Sequence, residues 1–278
     1  MADRAEKLVS ELGYAEGKGD VTKKVHAMAR RHRWRVRLFR FIVGVGFLVL
    51  WELASGPLVK PFWISCPSAV FVRLWEWTYT GFIFYHTFFT FLEMVIGFVI
   101  GTLIGIIVGF ILGRNEMVAE VLDPYIMAAF AMPKIALAPL FILWFGIGLE
   151  SKVILVVVIV FFLVFFNTFN GVRDVDPDLI DISRVMGASE IQIMRKIVLP
   201  SALIWIFTGL KLSIPYSLIG AVIGEIIASY RGLGYLVQDT SGMFDTTGLF
   251  SALFVLTIVA VVINEFCARS ERYFLKWR

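Results

Sequence analysis

The sequence predicts an all-α membrane protein: six transmembrane helices with a charged cytoplasmic hairpin between the fourth and fifth. Three observations carry this. The 278 residues are 59% hydrophobic and 15% aromatic but only 17% charged, where soluble domains carry about 25% charged residues. Mean hydropathy is +0.81, and several windows approach or exceed the ~18–20 apolar residues that cross a bilayer as helix. A polar stretch, "DISRVMGASEIQIMRKIVLP" at 181–200, interrupts two long apolar runs. The net charge of +4 and the pI of 9.1 do not indicate nucleic acid, because the basic residues sit at the ends of apolar spans.

Residues 1–37 form a polar, charged cytoplasmic tail without a signal-peptide pattern, and "ELGYAEGKGDVTKK" within it reads as disordered or loosely helical. The remaining residues, 38–278, form the transmembrane domain. Its spans are expected at about 38–55, 86–113, 124–146, 152–172, 201–229 and 247–267. Lysine and arginine near span ends set the orientation. Fifteen fall on the side of the N terminus and four, Lys60, Arg73, Lys152 and Arg231, on the other. Both termini are therefore expected in the cytoplasm. The aromatic-rich stretch from Phe62 to Tyr85 is expected to lie in the outer interface. Cys66 and Cys267 fall on opposite sides, so no disulfide is expected.

In the second span Gly97, Gly101, Gly105, Gly109 and Gly113 recur every four residues, a ridge on which a neighbouring backbone can approach closely. The third span is expected to begin with Asp123 as cap and Pro124 at its first position. Pro133 and Pro139 each free a carbonyl inside it, which in lipid needs a partner or a wet cavity. Pro215 suggests a similar break in the fifth span.

The polar stretch reads as two short amphipathic helices. Asp176 and Pro177 start the first, with Leu179, Ile182 and Met186 on one face. Gly187 ends it, where a positive φ is cheapest. Ser189 and Gln192 then form a capping box. Ile191, Met194 and Val198 make the second apolar face, and Leu199–Pro200 stops the helix. The residues alone leave a second reading open, a helix pair lying on the membrane surface.

Asp181-Ile182-Ser183, Gly187, Ile197, Leu199 and Pro200 together resemble the cytoplasmic "EAA" loop of ABC importer permeases. The Gly-to-Ile-x-Leu-Pro spacing matches, while Asp-Ile-Ser stands where the family has Glu-Ala-Ala. The resemblance extends over roughly 61–275. It includes "PSAVFVRLW", "HTFFTFLEMVIGF", "LDPYI", "PLFILWFGIGLESKV", "FFLVFFNTFNGVRDVDPDL" and "RGLGYLV", and is strongest to the nitrate/sulfonate/taurine-type branch. It implies a multi-pass protein of the bacterial cytoplasmic (inner) membrane and a homodimeric permease. It also implies an ATP-binding subunit dimer carrying ATP and Mg, and an extracytoplasmic solute-binding protein. The loop at about 174–200 then couples to the ATP-binding subunit, through Asp181, Arg184, Gly187, Ala188, Ser189 and Glu190. The substrate would be an anion such as a sulfonate, nitrate or carboxylate, or a heterocyclic vitamin precursor.

The residues agree with a gate and not a catalyst. No phosphate-binding G-x-x-x-x-G-K-[ST] occurs. His26, His32 and His86 are scattered, no metal cluster is visible, and no nucleophile stands beside a base. A stand-alone secondary transporter or channel is the alternative, but no internal repeat is evident. Three residues are candidates for the substrate path: Lys134 in mid-span, Glu225 toward the outer end of the fifth span, and Asn167. For Lys134 a structural pairing with a carboxylate or a freed carbonyl is an equal reading. Glu93 is expected to be solvated at the interface and Lys211 to be structural. Asn167 and Asn170 are more readily interhelical hydrogen bonders than substrate ligands.

Overall fold

A computed structural model describes residues 18–274. Every regular element among them is helical. The chain divides into two compact units at Ser68/Ala69. In the first, α1 (Lys18–Ala54) is a single helix of 37 residues, running from the expected tail into the first apolar stretch. The rest of the tail, 1–17, lies outside the described residues. The chain then folds back through the short α2 (Pro61–Ile64). Trp51 Nε1 donates to the carbonyl of Ile64 at 3.1 Å and Ser55 Oγ to that of Ser65 at 2.6 Å. Glu52 accepts from the amide and hydroxyl of Ser68 at 3.0 and 2.7 Å. Next, α3 (Pro67–Tyr79) leads into the second unit.

That unit is built on three long helices: α4 (Phe82–Arg114), α7 (Leu149–Arg173) and α10 (Leu199–Ile227). The glycine ridge of α4 lies on α7. A Cβ added at Gly101, Gly105, Gly109 or Gly113 would stand 2.8–3.0 Å from the carbonyls of Val157, Phe161, Phe165 and Phe169 in turn. The four-residue repeat of the glycines thus matches a row of carbonyls four residues apart. Side chains larger than hydrogen would hold the two backbones apart and forfeit the dispersion contacts that join helices in lipid. From the other side Ala202, Gly209, Ala221 and Gly224 bring α10 onto α7, and Val156, Val160 and Val164 are fully buried between the two neighbours.

The third expected span differs from the sequence reading. Its helix, α5 (Glu116–Ala131), starts earlier: Asn115 caps it, its side chain accepting from the amide of Val118 at 3.1 Å, and Pro124 lies inside the helix. Asn115 is already a good cap, so Asp123 is not needed as one. The helix breaks at Met132–Pro133, where Pro133 cannot donate. After a 3-10 turn, α6 (Ala138–Phe145) continues with Pro139 in its first turn. The two halves are bent by 79°. Pro215, by contrast, lies within a continuous α10.

Leu199–Pro200 also does not stop a helix. After α8 (Pro177–Val185) and α9 (Glu190–Ile193) comes a π turn, Met194–Val198, and the chain enters α10 without interruption. The wide turn, in which the Leu199 amide bonds the Met194 carbonyl, absorbs the missing donor of Pro200. The last helices are α11 (Leu233–Gly242) and α12 (Thr246–Phe274).

Among the described residues four helices are long and apolar enough to cross a membrane, Phe82–Arg114, Leu149–Arg173, Glu190–Ile227 and Thr246–Cys267, or five with the bent pair as one span.

Candidate functional site

The polar stretch folds as a rigid elbow. Asp176 accepts from the amide of Asp178 at 3.0 Å and Pro177 opens α8. At its end Gly187 has φ +84°. Its amide bonds the Arg184 carbonyl at 2.9 Å and that of Ala188 bonds Ser183 at 3.0 Å, the paired bonds of a Schellman stop. The capping box forms as expected: Gln192 N donates to Ser189 Oγ and Ser189 N to Gln192 Oε1. Arg184 braces the elbow, with Nε 2.8 Å from Glu190 Oε1 and Nη1 3.1 Å from Asp181 Oδ1. Its hydrogen bond to Glu190, with Asp181 adding to it, raises the guanidinium pKa further above its ordinary value.

The apolar side chains of the elbow divide between solvent and core. Leu179, Ile182, Val185, Met186 and Ile191 are exposed, Val185 at 90% and Met186 at 82%. Ile193 and Val198 are buried against Val172, Val175 and Ile180. Of the expected second apolar face, Val198 is buried and Ile191 exposed, and Ile193 joins Val198 in the core.

A second polar assembly lies at the other end of the same helices. Lys152, near the start of α7, is 4% exposed, and Glu93 of α4 is fully buried. Lys152 Nζ stands 2.5 Å from Glu93 Oε1 in a buried ion pair, and it donates to Ser229 Oγ at 2.9 Å. Glu225, 1% exposed, accepts from Thr90 Oγ1 and from the amide of Gly234, both at 2.7 Å. Thr90 Oγ1 accepts from the amide of Leu233 at 2.8 Å, and His86 Nδ1 from that of Gly232 at 3.1 Å. Three successive amides at the start of α11 are therefore held by side chains from α4 and α10. They are orphans of a helix N-terminus, and the glycines let the carboxylate come close: a Cβ at Gly232 would overlap the Glu225 carboxyl.

This corrects the expectation for Glu93, which is paired and buried instead of solvated; Lys152, counted among the outer-side charges, is buried with it. Glu225 has no open surface in this conformation. Sequence reasoning missed Lys152, Thr90 and His86 as members; the available signal was a lysine and two glutamates at the same ends of three neighbouring spans.

Lys134 sits at the break of the bent pair. Its Nζ donates to the Phe130 carbonyl at 2.7 Å and lies 5.0 and 4.6 Å over the rings of Phe130 and Phe162. It thus covers a carbonyl at the end of α5. Asn167 donates to the Leu163 carbonyl of its own helix at 2.8 Å, so its bond is not interhelical. No contact joins Lys134, Asn167 and Glu225 among the described residues, and none of their His, Cys, Asp and Glu side chains groups into a metal site.

Residues 101–275 match the family described as binding-protein-dependent transport system inner membrane component. The chain belongs to this family. The permease is 36% identical over 231 residues to the riboflavin transport system permease protein RibX of Chloroflexus aurantiacus, covering 83% of this chain and 86% of RibX. It is 28% identical over 268 residues to the taurine transport system permease protein TauC of Escherichia coli, covering 92% and 97%. Its fold is similar to a structure of the MetNI methionine ABC transporter in inward-facing conformations. That likeness has a TM-score of 0.53 and 23% identity, covering 73% of this chain and 95% of the other. RibX and TauC are permeases of the sulfonate/taurine/nitrate branch of ABC importers, and so is this chain.

Proposed function

We infer that the permease forms a homodimer driven by two ATP-binding subunits and fed by an extracytoplasmic solute-binding protein. ATP and Mg are held by the partner subunits, where hydrolysis takes place. In this reading there are six spans, α1 supplying the first and the bent pair the third, with both termini in the cytoplasm. The elbow at 174–200 faces the ATP-binding subunit, with Asp181, Arg184, Gly187, Ala188, Ser189 and Glu190 setting its shape and docking contacts. The substrate is a small anion such as a sulfonate, nitrate or carboxylate, or a heterocyclic vitamin precursor; the two relatives are named for riboflavin, a heterocyclic vitamin, and taurine, a sulfonate. Lys134, Glu225 and Asn167 remain candidates for the path once the bundle opens.

One observation carries the coupling role: five exposed apolar side chains on an elbow fixed by a Schellman stop, a capping box and two ion pairs. A rigid apolar surface on a charged hairpin is what a protein groove receives. The test is Gly187→Val in the assembled complex. Open space surrounds Gly187, so the change costs only the strained φ, on the order of 1 kcal/mol. The variant should insert and dimerise normally, but retain the ATP-binding subunits less well and lose uptake. Wild-type co-purification with wild-type uptake rules the elbow out as the coupling element. Uptake that follows an ion gradient instead of ATP points to a stand-alone transporter.

A further inference from the structure

A cavity of about 490 Å³ lies between the elbow and the C-terminal ends of α4 and α7. Three arginines line it, Arg114, Arg173 and Arg184, and only two acidic residues, Asp181 and Glu190. Arg184 already engages both carboxylates, at 3.1 and 2.8 Å. Arg114 reaches Glu190 only at 3.6 Å, beyond hydrogen-bond length. Arg173 has no carboxylate partner among the described residues; its guanidinium lies 5.4 Å over the Phe169 ring. The cavity floor is apolar, formed by Val172, Ile193 and Val198.

The last turn of a helix favours a cation, which accounts for an arginine at the end of each span. It does not account for two arginines lining one cavity whose guanidiniums make no hydrogen bond to a protein acceptor among the described residues. Each presents five donors in a planar fork and accepts nothing. The group that satisfies two such forks over an apolar floor is an oxyanion with several acceptor oxygens.

We propose that this cavity is a binding site for a phosphate-class oxyanion, held by Arg114 and Arg173 while Arg184 stays committed to the elbow. Its ligand is either the headgroup of an anionic phospholipid or free phosphate. The lipid source rests on the reading that this side of the bundle meets the cytoplasmic leaflet; the free-anion source does not. Occupancy would tie α4 and α7 to the back of the elbow, as a brace between the bundle and its docking surface.

The experiment uses the full chain in an uncharged detergent, as wild type, Arg173→Gln, Arg173→Lys and the double variant Arg114→Gln/Arg173→Gln. One arm adds equal phosphatidylglycerol and phosphatidylcholine and measures bound lipid by native mass spectrometry. The other, on delipidated protein, measures the thermal midpoint in phosphate against chloride at equal ionic strength. Selective retention of phosphatidylglycerol that the double variant loses identifies the headgroup. A phosphate-dependent rise that the double variant loses identifies the free anion. In either case Arg173→Gln should weaken binding by about tenfold, and Arg173→Lys by less. No selectivity in wild type, or the same selectivity in the double variant, overturns the proposal. Arg173 is exposed, so the single variant remains informative should the double fail to fold. Failure here leaves the uptake and co-purification results for the elbow untouched.

Discussion

Lys152→Met should be among the most damaging single changes outside the elbow, and Glu93→Gln should largely rescue it. Lys152 is 4% exposed and Glu93 not at all, with 2.5 Å between Nζ and Oε1. The lysine stem packs on α10, where a Cβ at Gly224 would stand 3.0 Å from its Cγ. Methionine keeps most of that stem and removes the charge. The variant then buries Glu93 without its counter-ion, with Glu225 in the same assembly. Breaking a buried pair on one side typically costs about 3–5 kcal/mol, whereas replacing both partners is often close to neutral. At roughly 2–4 °C per kcal/mol for a chain of this size, the single variant should lose on the order of 6–20 °C. The double variant should recover most of that loss.

The assay is the apparent thermal midpoint in one detergent at one heating rate, because unfolding of such a protein is irreversible and the midpoint depends on rate. Glu93→Gln alone completes the cycle. A non-additive shift of several degrees between positions 152 and 93 is expected. Additive losses would mean that the pair is not an energetic unit, and a wild-type midpoint for Lys152→Met would mean that water reaches Glu93.

Gly109→Leu should push α4 off α7: a Cβ there would already lie 2.8 Å from the Phe165 carbonyl, short of ordinary contact at 3.4–4 Å. Overpacking of that kind costs about 1–3 kcal/mol, read as a lower thermal midpoint or lost expression; an unchanged midpoint refutes the close approach. Lys134→Met should uncover the Phe130 carbonyl and destabilise the bent pair by about 1–3 kcal/mol. Reduced transport at a wild-type midpoint would instead place Lys134 on the substrate path. In sealed right-side-out vesicles an impermeant thiol reagent should label Cys66, and should spare Cys267 when Cys66 is protected. Both thiols are free and half-buried, and labelling of Cys267 reverses the proposed orientation.

The helical class and the elbow were legible because they rest on local rules. A glycine past a short amphipathic run, then Ser-x-x-Gln, specifies a stop and a cap whatever the neighbours do. The glycine ridge was legible because its period marks one helix face; the partner face, the carbonyl row of α7, was not, because backbone carries no sequence signal. Proline misled three times. At Pro124 and Pro215 the helix continued, and at Pro200 a π turn took up the missing donor, since the neighbours of a buried helix decide whether a lost hydrogen bond ends it. Glu93 and Lys152 each look like a charge at a span end, where solvation is the ordinary expectation. Only the packing of α4 on α7 turns two such charges into a buried pair.

That packing gives α7 a particular place in the molecule. Its first turns carry Lys152 and hence the assembly that holds the start of α11, and its last residue, Arg173, lines the cavity behind the elbow. Buried residues make up 44% of its most apolar window, against 28%, 28% and 17% for the other three long apolar helices. A helix enclosed on one side by a backbone-to-backbone ridge and on the other by small residues of α10 cannot shift alone. Any slide past α4 would carry Val160 or Thr168 over a glycine position that accepts only a hydrogen, and close-packed contacts of this kind are bistable, not continuously deformable. A displacement at the elbow is therefore passed on by α4, α7 and α10 as one body.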